Sequence, residues 1–100
     1  MIVRGTTPYV SFTLPFDVSI LKNAYITFSQ NDNVIVEKNL SDCIKNQNVL
    51  EVKLTQEDTL KFKALNNVEI QIRGITNEGE AIASEIRRTY IYKIHKDGVI

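Results

Sequence analysis

Val68-Glu69-Ile70-Gln71-Ile72-Arg73 sets apolar and polar residues in strict alternation. Successive side chains of a strand point to opposite faces. Val68, Ile70 and Ile72 therefore share one side, while Glu69, Gln71 and Arg73 share the other, as in a strand with one face buried and one wet. The same rhythm recurs in Val10-Phe12-Leu14, Ala24-Ile26-Phe28 and Leu50-Val52-Leu54. Repeated in short segments with turn residues between them, it predicts an all-β chain of half-buried antiparallel strands.

Downstream of this stretch, Asn77-Glu78-Gly79 supplies a turn whose glycine can take positive φ. Ala81 to Tyr92 returns as the partner strand. Ile86, Arg88, Tyr90 and Tyr92 lie on one of its sides and Arg87, Thr89 and Ile91 on the other, and the alternation leaves open which side is buried. A bulge or change of sheet between Ser84 and Arg88 would turn both apolar subsets inward in succession. His95 to Ile100, with Asp97-Gly98, is expected to fray in an isolated protomer.

Upstream, Thr55-Gln56-Glu57-Asp58 has the chemistry of a helix start, with a capping hydroxyl followed by two carboxylates at the positive end of the dipole. The helix is expected to run about two turns to near Lys63, with Leu60 as its best inward candidate and Phe62 or Ala64 second. Asn48 to Leu54 reads as a strand, and Ser41 to Asn48 as a connecting loop anchored by Ile44. Ala24–Ser29 and Val34–Lys38 form a hairpin about Gln30-Asn31-Asp32-Asn33, whose residues tolerate left-handed backbone. Pro8 to Leu14 is the first strand, closed by Pro15, and Phe16 to Asn23 crosses from one sheet to the other as a loop or single helical turn.

Six short strands with one helix near residues 55–63 predict a single domain over 1–100, an antiparallel β-sandwich of immunoglobulin-like character. The Cys-Trp-Cys signature of true immunoglobulin domains is absent, because the chain has one cysteine and no tryptophan. Apolar residues at 43% and charged residues at 24% are those of a folded globular chain and exclude low-complexity structure. Twelve basic and twelve acidic residues leave no net field toward nucleic acid or an anionic membrane, and weak self-repulsion suits association. With Cys43 alone no intrachain disulfide forms, so the fold rests on packing. The opening MIVRGTTPYV lacks the pattern of a secretory leader, and no apolar run is long enough to cross a bilayer; a product that is soluble and cytosolic when made is expected.

Chemistry-bearing residues are sparse. His95 has no second histidine and sits in the segment expected to fray, so it reads as an exposed residue rather than a base or ligand. Cys43 has only Lys45 as a cationic neighbour and reads as a small buried apolar residue. Glu57-Asp58 is accounted for by helix capping, Glu78 with Glu80 by a solvated turn, and Asn31-Asp32-Asn33 by a hairpin. The four glycines stand singly and make no phosphate loop. Lys61 with Lys63, and Arg87 with Arg88, are the basic pairs, and alternation sends Arg87 and Arg88 to opposite faces, which breaks up a nucleic-acid patch. No catalytic residue, cofactor or metal is expected. Tyr90, Ile91, Tyr92 and Arg87 are the candidate interaction surface, weighed equally against completion of the core.

Arg4-Gly5-Thr6-Thr7-Pro8, the strand end Phe12-Thr13-Leu14-Pro15, Tyr25-Ile26-Thr27-Phe28-Ser29-Gln30, the step Leu54-Thr55-Gln56-Glu57-Asp58-Thr59-Leu60 and Val68 to Arg73, in that order, resemble small prophage proteins of Gram-positive bacteria. More loosely, the chain resembles the N-terminal β-sandwich domain of phage baseplate upper proteins. It ends where those proteins continue into linker and receptor-facing domains. The resemblance transfers no functional residue. It implies a non-enzymatic virion or assembly component, tail- or baseplate-associated, that self-associates or docks on other phage structural proteins, with the virion as its location. The competing expectation is a carbohydrate- or receptor-binding sandwich that uses Tyr9, Tyr25 or the Tyr90/Tyr92 pair, with polar help from the Gln30–Asn33 loop.

Overall fold

A computed structural model describes every residue from Met1 to Ile100. Strands hold 52% of the chain and helices 11%, so the protein is all-β. In chain order the elements are β1 (Ile2–Val3), β2 (Tyr9–Thr13), a 3₁₀ turn (Val18–Ile20), β3 (Leu21–Gln30), β4 (Asn33–Asn39), a second 3₁₀ turn (Leu40–Asp42), β5 (Cys43–Asn46), β6 (Val49–Lys53), α1 (Gln56–Leu60), β7 (Asn67–Thr76), β8 (Ala81–Ala83) and β9 (Arg87–Tyr92).

The strand that carries the clearest alternation is the centre of the larger sheet. β7 pairs antiparallel with β3 along one side and with β8 and then β9 along the other. β4 lies outside β3, and β1 outside β9. Val68, Ile70 and Ile72 are buried, whereas Glu69, Gln71 and Arg73 point away from the core. Gly74 pairs with Ala24, next to the point where β3 shifts register between Leu21 and Asn23, and a Cβ there would meet the Asn23 carbonyl oxygen at 3.0 Å. The sheet is mixed rather than wholly antiparallel, because β1 runs parallel to β9 with Ile2 beside Ile91 and the Arg4 N–H donating to the Tyr92 carbonyl at 3.1 Å. Two residues are too few to display a period.

β2, β6 and β5 form a separate three-stranded sheet. The two sheets and α1's flank feed one cluster of 18 buried apolar residues, with Phe12, Leu50 and Val52 from the smaller sheet, Leu54 just past its end, and Ile26, Phe28, Ile70 and Ile91 from the larger. The crossing between them contains a single helical turn, one of the two expected forms, but ends at Ile20 rather than Asn23 because β3 already starts at Leu21; the Asp17 carboxylate accepts from the Ser19 N–H at 2.9 Å. That bond holds the Asp17 carboxyl below the usual carboxylate range.

Two local expectations need correction. Ser41–Asn48 is not a loop anchored by Ile44: Asn39 caps the Leu40–Asp42 turn and the chain then pairs as β5 with β6, leaving Ile44 57% exposed. Leu40 and Cys43 pack against the core instead. An edge strand is recruited by backbone hydrogen bonds and needs little apolar alternation, so its polar composition reads as a loop. The helix also stops early, at Leu60. Lys61 and Phe62 donate their N–H groups to the Asp58 and Thr59 carbonyls at 3.2 and 3.3 Å, a tightened turn that drives Phe62 inward. Phe62 is 1% exposed with its ring centroid 6.0 Å from that of Phe28, whereas Leu60 is only half-buried.

The turn at Asn31-Asp32 has φ of 51° and 61°, as a two-residue hairpin requires. The His95–Ile100 segment does not stand free: the Gln56 side chain accepts from the Ile100 N–H at 2.9 Å and donates to its carbonyl at 3.4 Å.

Asp58 ties α1 to the sheet. Its carboxylate accepts from the Thr55 N–H at 2.9 Å, Thr55 Oγ1 accepts from the Asp58 N–H at 3.1 Å, and Lys38 of β4 reaches Asp58 Oδ2 at 2.8 Å. Burial acts to raise the Asp58 pKa, but the Lys38 hydrogen bond and charge, with the Thr55 bonds, outweigh it and hold the carboxyl below its usual range. A folded pKa below the unfolded one gives stability that is present above about pH 4 and is lost as acid protonates the folded carboxylate. Asp58→Asn is expected to cost about 1–3 kcal/mol at neutral pH and to flatten the acid limb. Urea unfolding of both proteins across the acid range checks this; parallel pH profiles would refute it.

Candidate contact surface

The return strand carries the candidate residues, and a bulge decides which way they face. From Arg73↔Ala83 to Ile70↔Arg87 the chain takes three steps along β7 and four along the return, so one extra residue lies in Ser84–Ile86. Ser84 fixes it: Ser84 N–H donates to the Ile72 carbonyl at 2.8 Å, and its Oγ accepts from the Ile72 N–H at 3.0 Å. Ile82 before the bulge packs on the core, and Ile91 after it is fully buried. The open choice of face is thereby settled, with Arg87, Thr89 and Ile91 inward and Arg88, Tyr90 and Tyr92 outward.

The four candidates therefore do not form one surface. Ile91 belongs to the core and leaves the set, since it faces inward beside its buried β1 neighbour Ile2. Arg87 points to the rim between the sheets, where Nη1 donates to the Ser11 carbonyl at 3.1 Å and the guanidinium lies 4.6 Å from the Phe12 ring centroid. Tyr90 and Tyr92 stay together on the outer face, 39% and 44% exposed, with ring centroids 5.0 Å apart at 77°. This edge-to-face contact fixes two large rings in water.

Leu65, not singled out in the sequence, lies on the segment that pairs with this part of β9. Its N–H donates to the Ile91 carbonyl at 2.8 Å, which sets it beside the residue between the two tyrosines. It is 57% exposed and has φ of 63°. Left-handed backbone costs a leucine roughly 1–2 kcal/mol, and an exposed leucine offers little burial in return. Its only sequence signal is position, before the Asn66-Asn67 pair where the chain enters β7. Val3, opposite Tyr92, and the Arg88–Glu69 ion pair at 2.8 Å border the corner.

The remaining chemistry-bearing residues lie apart. His95 is exposed beyond β9. Cys43 Sγ donates to the Asn39 carbonyl at 3.4 Å; burial first, then the Asp42 charge, push its pKa up against the smaller pull of Lys45, so the thiol stays protonated at neutral pH. Glu78 and Glu80 flank an exposed turn, and no three His, Cys, Asp or Glu side chains gather where they could hold a metal ion. Tyr9 sits on the smaller sheet with Lys53 Nζ 5.6 Å from its ring centroid, remote from Tyr25 on the larger. Gln30 is buried and binds both the N–H and the carbonyl of Lys63, so it is not free for a ligand.

Comparison with family models, curated proteins and solved structures finds no match to this chain.

If Leu65 is held exposed for contact rather than for folding, Leu65→Gly leaves stability unchanged or raises it by up to about 1 kcal/mol, by relieving the left-handed strain. Urea denaturation measures this. A loss beyond about 1 kcal/mol would mean that the side chain supports the fold.

Proposed function

We propose that this chain is a non-enzymatic structural or assembly module of a phage virion, tail- or baseplate-associated, that works through contacts with other phage structural proteins. Its architecture is an immunoglobulin-like β-sandwich in this reading, supported by the single core that both sheets share. The virion assignment rests on the resemblance of Arg4–Pro8, Leu54–Leu60 and Val68–Arg73 to prophage proteins. One observation carries the contact role: Tyr90 and Tyr92 stand exposed in edge-to-face contact on the outer face, and the segment bonded to the Ile91 between them carries exposed Leu65 in unfavourable backbone geometry. Rigid aromatic rings with an apolar neighbour and a charged rim are the make-up of an interface anchor.

A carbohydrate-binding role has one feature in its favour. Tyr25 is 44% exposed, its hydroxyl accepts from Asn23 Nδ2 at 3.0 Å, and both line a hollow of about 330 Å³ with Arg73. A glycan array with wild type and Tyr25→Ala addresses this reading; binding that vanishes in the variant would favour it over the virion role.

For the leading reading, mass spectrometry of purified particles should find the chain in stoichiometric amount. Tyr90→Ala with Tyr92→Ala should remove it from particles while the isolated protein stays folded. Absence of the wild-type chain from particles would overturn the proposal.

A further inference from the structure

Outside the tyrosine corner, the return strand has a second unused feature. On the side away from β7 it has a partner only at Ile91 and Tyr92, from β1, so the backbone of residues 81–89 is an unpaired sheet edge. β2 is likewise an edge of the smaller sheet. The two edges face each other across a seam that Arg87 spans to reach Ser11.

The seam is hollow on both sides of Arg87. On one side Leu14, Phe16, Leu21, Ile72 and Ile82 line a space of about 330 Å³ that is mostly apolar. On the other, Tyr9, Val10, Ser11, Ile70 and Thr89 line about 300 Å³ with a more polar rim. Arg87 has no carboxylate within ion-pair distance, whereas Arg88 on the opposite face pairs with Glu69. An open edge flanked by side-chain hollows is what an added strand requires, since main-chain bonds supply affinity and alternate side chains fill the pockets. The unpaired guanidinium between the hollows asks for a carboxylate at the middle of that strand.

The chain carries such a strand. His95, Asp97 and Val99 are two residues apart and share a face when extended. Val99 and Ile100 are 55% and 89% exposed, and Asp97 makes only a loose pair with Arg4 at 3.5 Å with its side chain 73% exposed. Beyond this, the Gln56 amide holds the segment to the body of the protein through two exposed hydrogen bonds, so releasing it costs little.

We propose that the seam between β2 and the β8–β9 edge receives the His95–Ile100 segment of a second copy as an added antiparallel strand. Asp97 lies against Arg87, Val99 reaches the near end of the apolar hollow at Ile72 and Ser84, and His95 enters the polar-rimmed one beside Thr89. Donor and acceptor are different surfaces, so the contact is head-to-tail and builds a ring or a filament. It uses neither Tyr90 nor Tyr92 and holds whether or not the protein belongs to a virion.

Light scattering from micromolar to millimolar concentration tests this. Wild type should gain mass with concentration. Val99→Asp, a change at an exposed position that leaves the fold intact, should weaken association at least about tenfold. Arg87→Asp and Asp97→Arg should each do the same, and combining them in one chain should restore association. A wild type that is monomeric throughout, or an oligomer indifferent to Val99→Asp, overturns the proposal. An oligomer lost only on Tyr90→Ala with Tyr92→Ala also overturns it, while supporting the corner as the contact.

Discussion

β7 is the constraint on which the rest of the structure depends. It is paired on both sides, so its pleat dictates which residues of β3, β8 and β9 face the core. A one-residue slip would send Val68, Ile70 and Ile72 to water and Glu69, Gln71 and Arg73 into the core, at a cost of several kcal/mol for the charged groups alone. The alternation thus specifies the register of four strands at once. The bulge at Ser84–Ile86 is the single adjustment that lets the return strand bury Ile82 and then Ile91 in turn.

The outer face and the rim are what this arrangement leaves over. Inward residues form one shared core, and the side chains with contact chemistry sit outside it, Tyr90 and Tyr92 on the sheet's open face, exposed Leu65 just before β7 and Arg87 at the seam. The Asp58–Lys38 pair and the Gln30 amide fasten α1 and its following turn across the β3–β4 hairpin, which closes that end of the core. The opposite rim, along β2 and the return strand, has Arg87 in place of such a closure. The asymmetry makes that rim the open side of the molecule.

Much of the fold was legible because it follows from period-two alternation over five or more residues, as in β2, β3, β6 and β7, and from turn chemistry at Asn31-Asp32 and Asn77-Glu78-Gly79. The helix start was legible too, with Thr55 as its cap, although the bond that Asp58 returns to the Thr55 N–H was read only as charge at the helix dipole. What could not be read was held by backbone rather than by pattern. β1 has two residues and β5 is polar, so pairing alone defines them. Phe62 turns inward through a tightening of the chain after Leu60 that no local propensity encodes. At the candidate surface, Tyr90 and Tyr92 were legible as a pair, but Ile91 and Arg87 were placed only by the bulge, and Leu65 is conspicuous only through its backbone angle and exposure.

Residue-resolved hydrogen exchange on dilute protein tests most directly whether the sheet is organised on β7 with an open return edge. The account predicts that the amides of Val68 to Ile72 are the slowest in the chain, while alternate amides of the return strand from Ala81 to Thr89 exchange orders of magnitude faster than their neighbours bonded to β7. Uniform protection along the return strand in the dilute monomer would mean that the edge is already covered, and would contradict the account.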